Sequence, residues 1–134
     1  MEKTRNLERI APDHISDLRE NEIFVFGSNL AGMHAGGAAR LAFRKFGAVW
    51  GQGVGLQGRS YAIPTMQGDV ETIRPYVVEF IALAAARPQL TFLVTQIGCG
   101  IAGFSPRQIA PLFEPARRVE NIFLPACFWD ILGE

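Results

Sequence analysis

Two apolar runs, Ile23-Phe24-Val25-Phe26 and Leu90 to Ile97, each stop at a glycine, Gly27 and Gly98. Short continuous apolar runs suit strands buried on both faces, as in a parallel sheet. The second run gives way to Gly98-Cys99-Gly100-Ile101-Ala102-Gly103, with three glycines in six residues. Glycine costs backbone entropy, and it is useful where φ must be positive or where another group must touch the main chain. The pattern predicts two parallel strands in one sheet. Their carboxyl ends open into loops that face each other across a cleft and admit a close-fitting group.

The rest of the chain alternates in the same way. A glycine-bearing loop follows Phe26, and a helix is expected over about Gly36 to Phe46. The segment Gly51 to Ser60 holds four glycines and reads as a flexible loop. "SYAIPT" reads as a short strand. Asp69 or Thr72 can cap a helix near Ile73 to Ala86, with Pro75 in its first turn and Pro88 just past its end. Ser105-Pro106 reads as an N-cap followed by proline at N1, opening a helix towards Phe113, and "NIFLPA" reads as a last strand. "FWDIL" near the C-terminus reads as core packing. Ile10, Ile15 and Leu18 can anchor either a short helix or an edge strand. Strands alternating with helices predict an α/β fold, a three-layer α/β/α sandwich with a mostly parallel sheet, spanning residues 1–134 as a single domain. Ligands of such folds sit beyond the carboxyl ends of the strands.

Composition narrows the function classes. The chain is 49% hydrophobic and 19% charged, enough to bury a core. Thirteen basic residues balance thirteen acidic ones, which predicts no nucleic-acid footprint. A small anionic ligand stays open, because backbone N–H groups bind anions without lysines. The two cysteines, Cys99 and Cys127, form no disulfide framework and no metal-ligand spacing. Met1 leads into Glu2-Lys3-Thr4-Arg5 without an apolar leader, and the most apolar stretch, Tyr76 to Ala86, contains Glu79 and falls short of the roughly 20 residues a membrane span needs. These features predict a soluble cytoplasmic protein with no membrane partner, no metal and no cofactor, its oligomeric state left open.

Both glycine loops lead within about ten residues into an expected helix start, where unpaired N–H groups and the helix dipole favour an anion. A phosphate or diphosphate is therefore the expected occupant. There is no G-x-x-x-x-G-K-[ST], so a P-loop is not indicated. Gly98, Gly100 and Gly103 match G-x-G-x-x-G in spacing, but on a late strand, which makes a dinucleotide-dependent dehydrogenase a weak alternative.

"GSN" followed by "HAGGAARLAF", together with "IGCGIAGFSP", resembles the two ligand loops of the macro domain family, and most closely a compact, phage-associated branch of macro-like proteins. The resemblance covers roughly Glu22 to Phe104. It implies binding of ADP-ribose or a related nucleotide diphosphate. The first alternative is an ADP-ribosyl hydrolase, and the second is a non-catalytic phage-derived structural or interaction protein. It implies that Gly27, Ser28 and Asn29 lie at the ligand, with Asn29 at the distal ribose. The N–H groups of Gly36, Gly37 and Ala38, and those from Gly98 through Cys99, Gly100, Ile101 and Ala102 to Gly103, would hold the diphosphate, with Phe104 against the ribose beyond it.

The sequence departs from the family pattern in two places. No clean counterpart of the adenine-reading aspartate is present, Asp13 and Asp17 being candidates. Ala38-Ala39 stands where hydrolytic members carry an acid, which weighs against hydrolysis by that route. If the chain is an enzyme, the catalytic candidates are Asn29, His34 and Asp69. Three of the singled-out residues have a plainer reading: Asn29 as a turn residue, His34 as an exposed loop residue, and Phe104 as a core side chain. Cys99 is a further nucleophile candidate without a partner base.

Overall fold

The computed structural model describes residues 9–134. The leaderless reading of Met1 to Arg5 falls outside them. Strand β1 (Ile10–Ala11) is followed by β2 (Glu22–Ser28), α1 (Gly37–Lys45), β3 (Gly55–Gln57) and β4 (Ser60–Pro64). A 3-10 turn at Val70–Thr72 leads into α2 (Arg74–Ala85). Then come β5 (Thr91–Val94), α3 (Pro106–Ile109), a 3-10 stretch over Ala110–Arg118, β6 (Ile122–Pro125) and α4 (Ala126–Leu132).

The six strands form one sheet in the order β1-β6-β5-β2-β4-β3. All neighbours run parallel except β3 and β4. The fold is therefore α/β with a mostly parallel sheet and, among the described residues, four helices. The two apolar runs are neighbours: β2 pairs with β5 from Glu22↔Thr91 to Val25↔Val94. Both faces of the sheet are buried, which is why the runs do not alternate with polar residues. Ile23 and Val25 point into a large cluster with Phe80, Phe92 and Phe113. Phe24 and Phe26 point the other way, under Ala39, Ala42 and Phe46 of α1 and its C-cap.

Four local expectations are corrected. The segment Gly51 to Ser60 is not all loop. Leu56 pairs with Tyr61 and Gln57 with Ser60, so β3 closes the edge as a hairpin through Gly58-Arg59. The ladder of β5 ends at Val94, not Ile97, because the Thr95 amide still reaches Val25 O while Ile97 N turns back onto Thr95 O at 2.7 Å. The helix opened by Ser105-Pro106 keeps α geometry for four residues and continues as 3-10. Pro111 and Pro115 lack the N–H that an i→i−4 ladder needs, and 3-10 geometry accommodates the gap. Neither Asp69 nor Thr72 caps α2 with its side chain: a 3-10 turn precedes that helix, and its N-cap is Ile73. Residues 10–11 resolve the open choice at the N-terminal end as an edge strand. No helix among the described residues is long and apolar enough to cross a membrane.

Candidate functional site

The carboxyl ends of β2, β4 and β5 open into one cavity of about 550 Å³, within the range of small-ligand pockets. The first glycine loop forms one wall, from Gly27 to Ala39. The second, from Gly98 to Ala102, forms the facing wall. The loops meet at two places. A methyl group on Gly27 would stand 3.3 Å from the Gly98 amide nitrogen, and the Ile101 Cδ1 lies 3.5 Å from the corresponding position on Gly36.

Unpaired amides gather in two stretches of these walls, although Met33, Ala35 and Ile97, which also line the cavity, have theirs bonded to Asn29 Oδ1, Met33 O and Thr95 O. In the second loop the N–H of Cys99 bonds to Gln96 O, that of Gly103 to Gly100 O and that of Phe104 to Gly98 O. Those three residues lie outside the cavity lining. The amides of Gly98, Gly100, Ile101 and Ala102 have no partner among the described residues, and all four residues line the cavity. Across the cleft the unpaired amides lie at the start of α1. The first intrahelical bond of α1 runs from Arg40 N to Gly36 O. This leaves the amides of Gly36, Gly37, Ala38 and Ala39 unpaired among the described residues, again all at the cavity. The α1 N-cap, Gly36, has no capping side chain, and the first turn carries no acid. The start of α3 is different. Ser105 and Gln108 form a reciprocal capping box, with Ser105 N bonded to the Gln108 carboxamide at 2.9 Å. That helix start has its Ser105 and Gln108 amides satisfied and does not line the cavity, contrary to the expectation that both loops lead to an open helix end.

None of the lining side chains is ionisable among the described residues. A small anion there would be held by neutral N–H groups and by the α1 dipole. Asn29 lines the cavity, and its amide pins the following turn: Oδ1 accepts from Met33 N at 2.9 Å and Nδ2 donates to Met33 O at 3.1 Å. The Ser28 hydroxyl is buried and donates to Gly53 O.

Two of the catalytic candidates are not brought to this place. His34 is not exposed. It is 1% accessible, with Nε2 2.9 Å from Val49 O and 3.1 Å from Gln52 O, so its Nε2–H donates to carbonyls of the 49–52 turn. Its ring sits edge-on to Phe26, it does not line the cavity, and its Nδ1 is buried without a partner among the described residues. Asp69 lies outside the cavity on an exposed turn, where its carbonyl accepts from Thr72 N and Oγ1. Phe104 packs on the core cluster beside Gly98 and is outside the lining. The Cys99 thiol donates to Ile97 O at 3.5 Å, and burial, with a smaller contribution from Cys127, pushes its pKa up to about 11. It is therefore protonated at neutral pH and a poor nucleophile.

Thr65, Met66, Thr95 and Gln96 also line the cavity and were not singled out from the sequence. The available signal was topological. "SYAIPT" forms β4, which pairs with β2 on the side opposite β5, so its carboxyl end opens at the same edge. A second cavity of about 470 Å³ lies away from these loops, against Leu93 and Phe123 and the 14–19 segment. No protein family, curated protein or solved structure matches the chain.

Proposed function

We infer that the protein is a macro-like α/β/α domain that binds ADP-ribose or a related nucleoside diphosphate between its two glycine loops. The observation that carries this reading is the concentration of unpaired amides at the cavity: eight lining residues, Gly36 to Ala39 and Gly98, Gly100, Ile101 and Ala102, carry N–H groups without a partner among the described residues. Charge-assisted hydrogen bonds to an anion are roughly twice as strong as neutral ones, so several neutral amides can replace a lysine. The cavity also has room for the sugar beside the phosphates, with the Asn29 amide at its edge.

Binding is favoured over hydrolysis because, among the described residues, no carboxylate, imidazole, thiol or amine lines the cavity to serve as acid or base. Hydrolysis would need an acid or base in hydrogen-bond reach of the scissile bond, and neither His34 nor Asp69 lies in the lining. A thermal-shift series with ADP-ribose, ADP, AMP, NAD and inorganic phosphate tests the reading. Stabilisation by the diphosphates that exceeds that of AMP and phosphate is expected. No shift with any diphosphate at millimolar concentration overturns it. Release of ADP-ribose from a modified substrate would move the assignment to the hydrolase class.

A further inference from the structure

The zero net charge hides a segregation. From Ile23 to Gly68 the sequence contains no aspartate or glutamate, yet it carries Arg40, Arg44, Lys45 and Arg59. Lys45 is bonded to Asp17 at 3.0 Å, and Arg59 donates to the carbonyls of Leu18 and Arg19. Arg40 and Arg44 lie one turn apart on α1, exposed, and have no ion-pair or hydrogen-bond partner among the described residues.

Two aromatic rings stand beside them. Phe43 is 43% exposed and Trp50 is 50% exposed, their centroids 5.5 Å apart at 68°. Trp50 is also braced edge-on by the His34 ring at 6.3 Å. His34 is itself fixed by the two carbonyls of the 49–52 turn. The indole is thus held in place with half its surface uncovered.

We propose that this face of α1 and the 47–53 turn binds single-stranded nucleic acid. Every base presents a π-face that can stack on a fixed aromatic ring, and successive phosphates suit guanidinium groups spaced one helical turn apart. An acidic peptide would use the two arginines but would leave the indole and phenyl rings without planar partners. The inference rests on side chains outside the cavity, so it stands or falls separately from the nucleotide reading.

The test is fluorescence anisotropy of a labelled dT12 oligonucleotide at 50 mM salt, with intrinsic tryptophan emission recorded alongside. Trp129 is 6% exposed, so quenching reports on Trp50. Binding with quenching is expected, weakened at least tenfold both by Arg40→Glu with Arg44→Glu and by Trp50→Ala. Arg107→Glu, which reverses a charge at the Glu134 pair, is expected to change affinity less than twofold. Arg40→Ala with Arg44→Ala should make the log–log salt slope shallower by roughly 1.4, about 0.7 for each lost phosphate contact on a single strand. Circular dichroism checks that each variant is folded. No binding, equal binding by wild type and the folded double arginine variant, or equal displacement by polyglutamate overturns the proposal.

Discussion

Gly27, near the end of β2, and Gly98, four residues past the end of β5, lie backbone against backbone, close enough that a methyl group on Gly27 would stand 3.3 Å from the Gly98 nitrogen. Gly98 has φ +75°, and a Cβ there would stand 2.9 Å from Ile109 Cδ1. Both glycines therefore serve the fold as well as the cavity. Gly100 differs: a Cβ there meets nothing within 4 Å, and its φ is not in the left-handed region. Gly98→Ala is expected to destabilise the protein by about 1–3 kcal/mol, and Gly100→Ala by less than about 0.5 kcal/mol. Urea denaturation of the two variants measures the difference, and equal losses would mean that loop strain is not localised at Gly98.

Arg9 and Trp129 hold the edge of the sheet. The Arg9 guanidinium is buried and donates to the carbonyls of Ala116, Arg117, Val119 and Ile122. It lies 5.1 Å from the Trp129 ring centroid, while Trp129 Nε1 donates to Arg9 O at 2.8 Å. Removing the guanidinium strands several buried carbonyls, so Arg9→Ala should cost ~3 kcal/mol or more. Arg9→Lys cannot reach four acceptors with three N–H groups and should recover part of that loss. Equal stability of wild type and Arg9→Ala in urea would refute the latch.

Alkaline pH should unfold the protein earlier than its composition suggests. Burial, with Glu79 second, pushes the Tyr61 pKa up to about 12, and Cys99 is pushed up to about 11. The unfolded chain releases these protons near pH 8.5 and 10, while the native protein retains them. Stability is thus fully present below about pH 8.5 and falls as pH rises towards 11 and then 12. Cys99→Ser with Tyr61→Phe should flatten this slope in melting experiments between pH 8 and 11. An unchanged slope would place its origin elsewhere.

His34→Ala is expected to act through stability and not through chemistry. It removes the donor to Val49 O and Gln52 O and the ring that braces Trp50. A loss of ~2 kcal/mol or more is expected in urea, with nucleotide affinity in the folded variant within a few-fold of wild type. A folded, fully stable variant that has lost nucleotide binding would return His34 to the site.

The β2–β5 pairing was legible because two apolar runs ended alike, at glycine. The cavity followed from the rule that places ligands at strand carboxyl ends. The third contributor, Thr65 and Met66 after β4, was hidden because sequence order does not show that β4 sits beside β2. Strand β3 was hidden by Gly55 and Gly58, which read as loop until Tyr61 supplies the pairing partner. The burial of His34 depends on carbonyls 15 and 18 residues away, and no local pattern announces such a contact. The glycine motif also marked Cys99, Gly103 and Phe104, which share the loop but bond their amides to carbonyls of Gln96, Gly100 and Gly98 and lie outside the lining.

The most direct test of the anion cavity is Ala38→Glu. Ala38 lies in the first turn of α1, where N–H groups are unpaired among the described residues and no side chain caps the helix. A carboxylate there should stabilise the helix by about 0.3–1 kcal/mol through the dipole. It should also repel a diphosphate at close range by on the order of 4 kcal/mol at an effective dielectric of 20. Calorimetric titration of ADP-ribose into wild type and Ala38→Glu, with the melting temperature of each, separates the two effects. A variant as stable as wild type or more so is expected, with affinity reduced at least about a hundredfold, which is a loss of ~2.7 kcal/mol. Undiminished ADP-ribose binding by the folded Ala38→Glu protein would contradict the anion cavity.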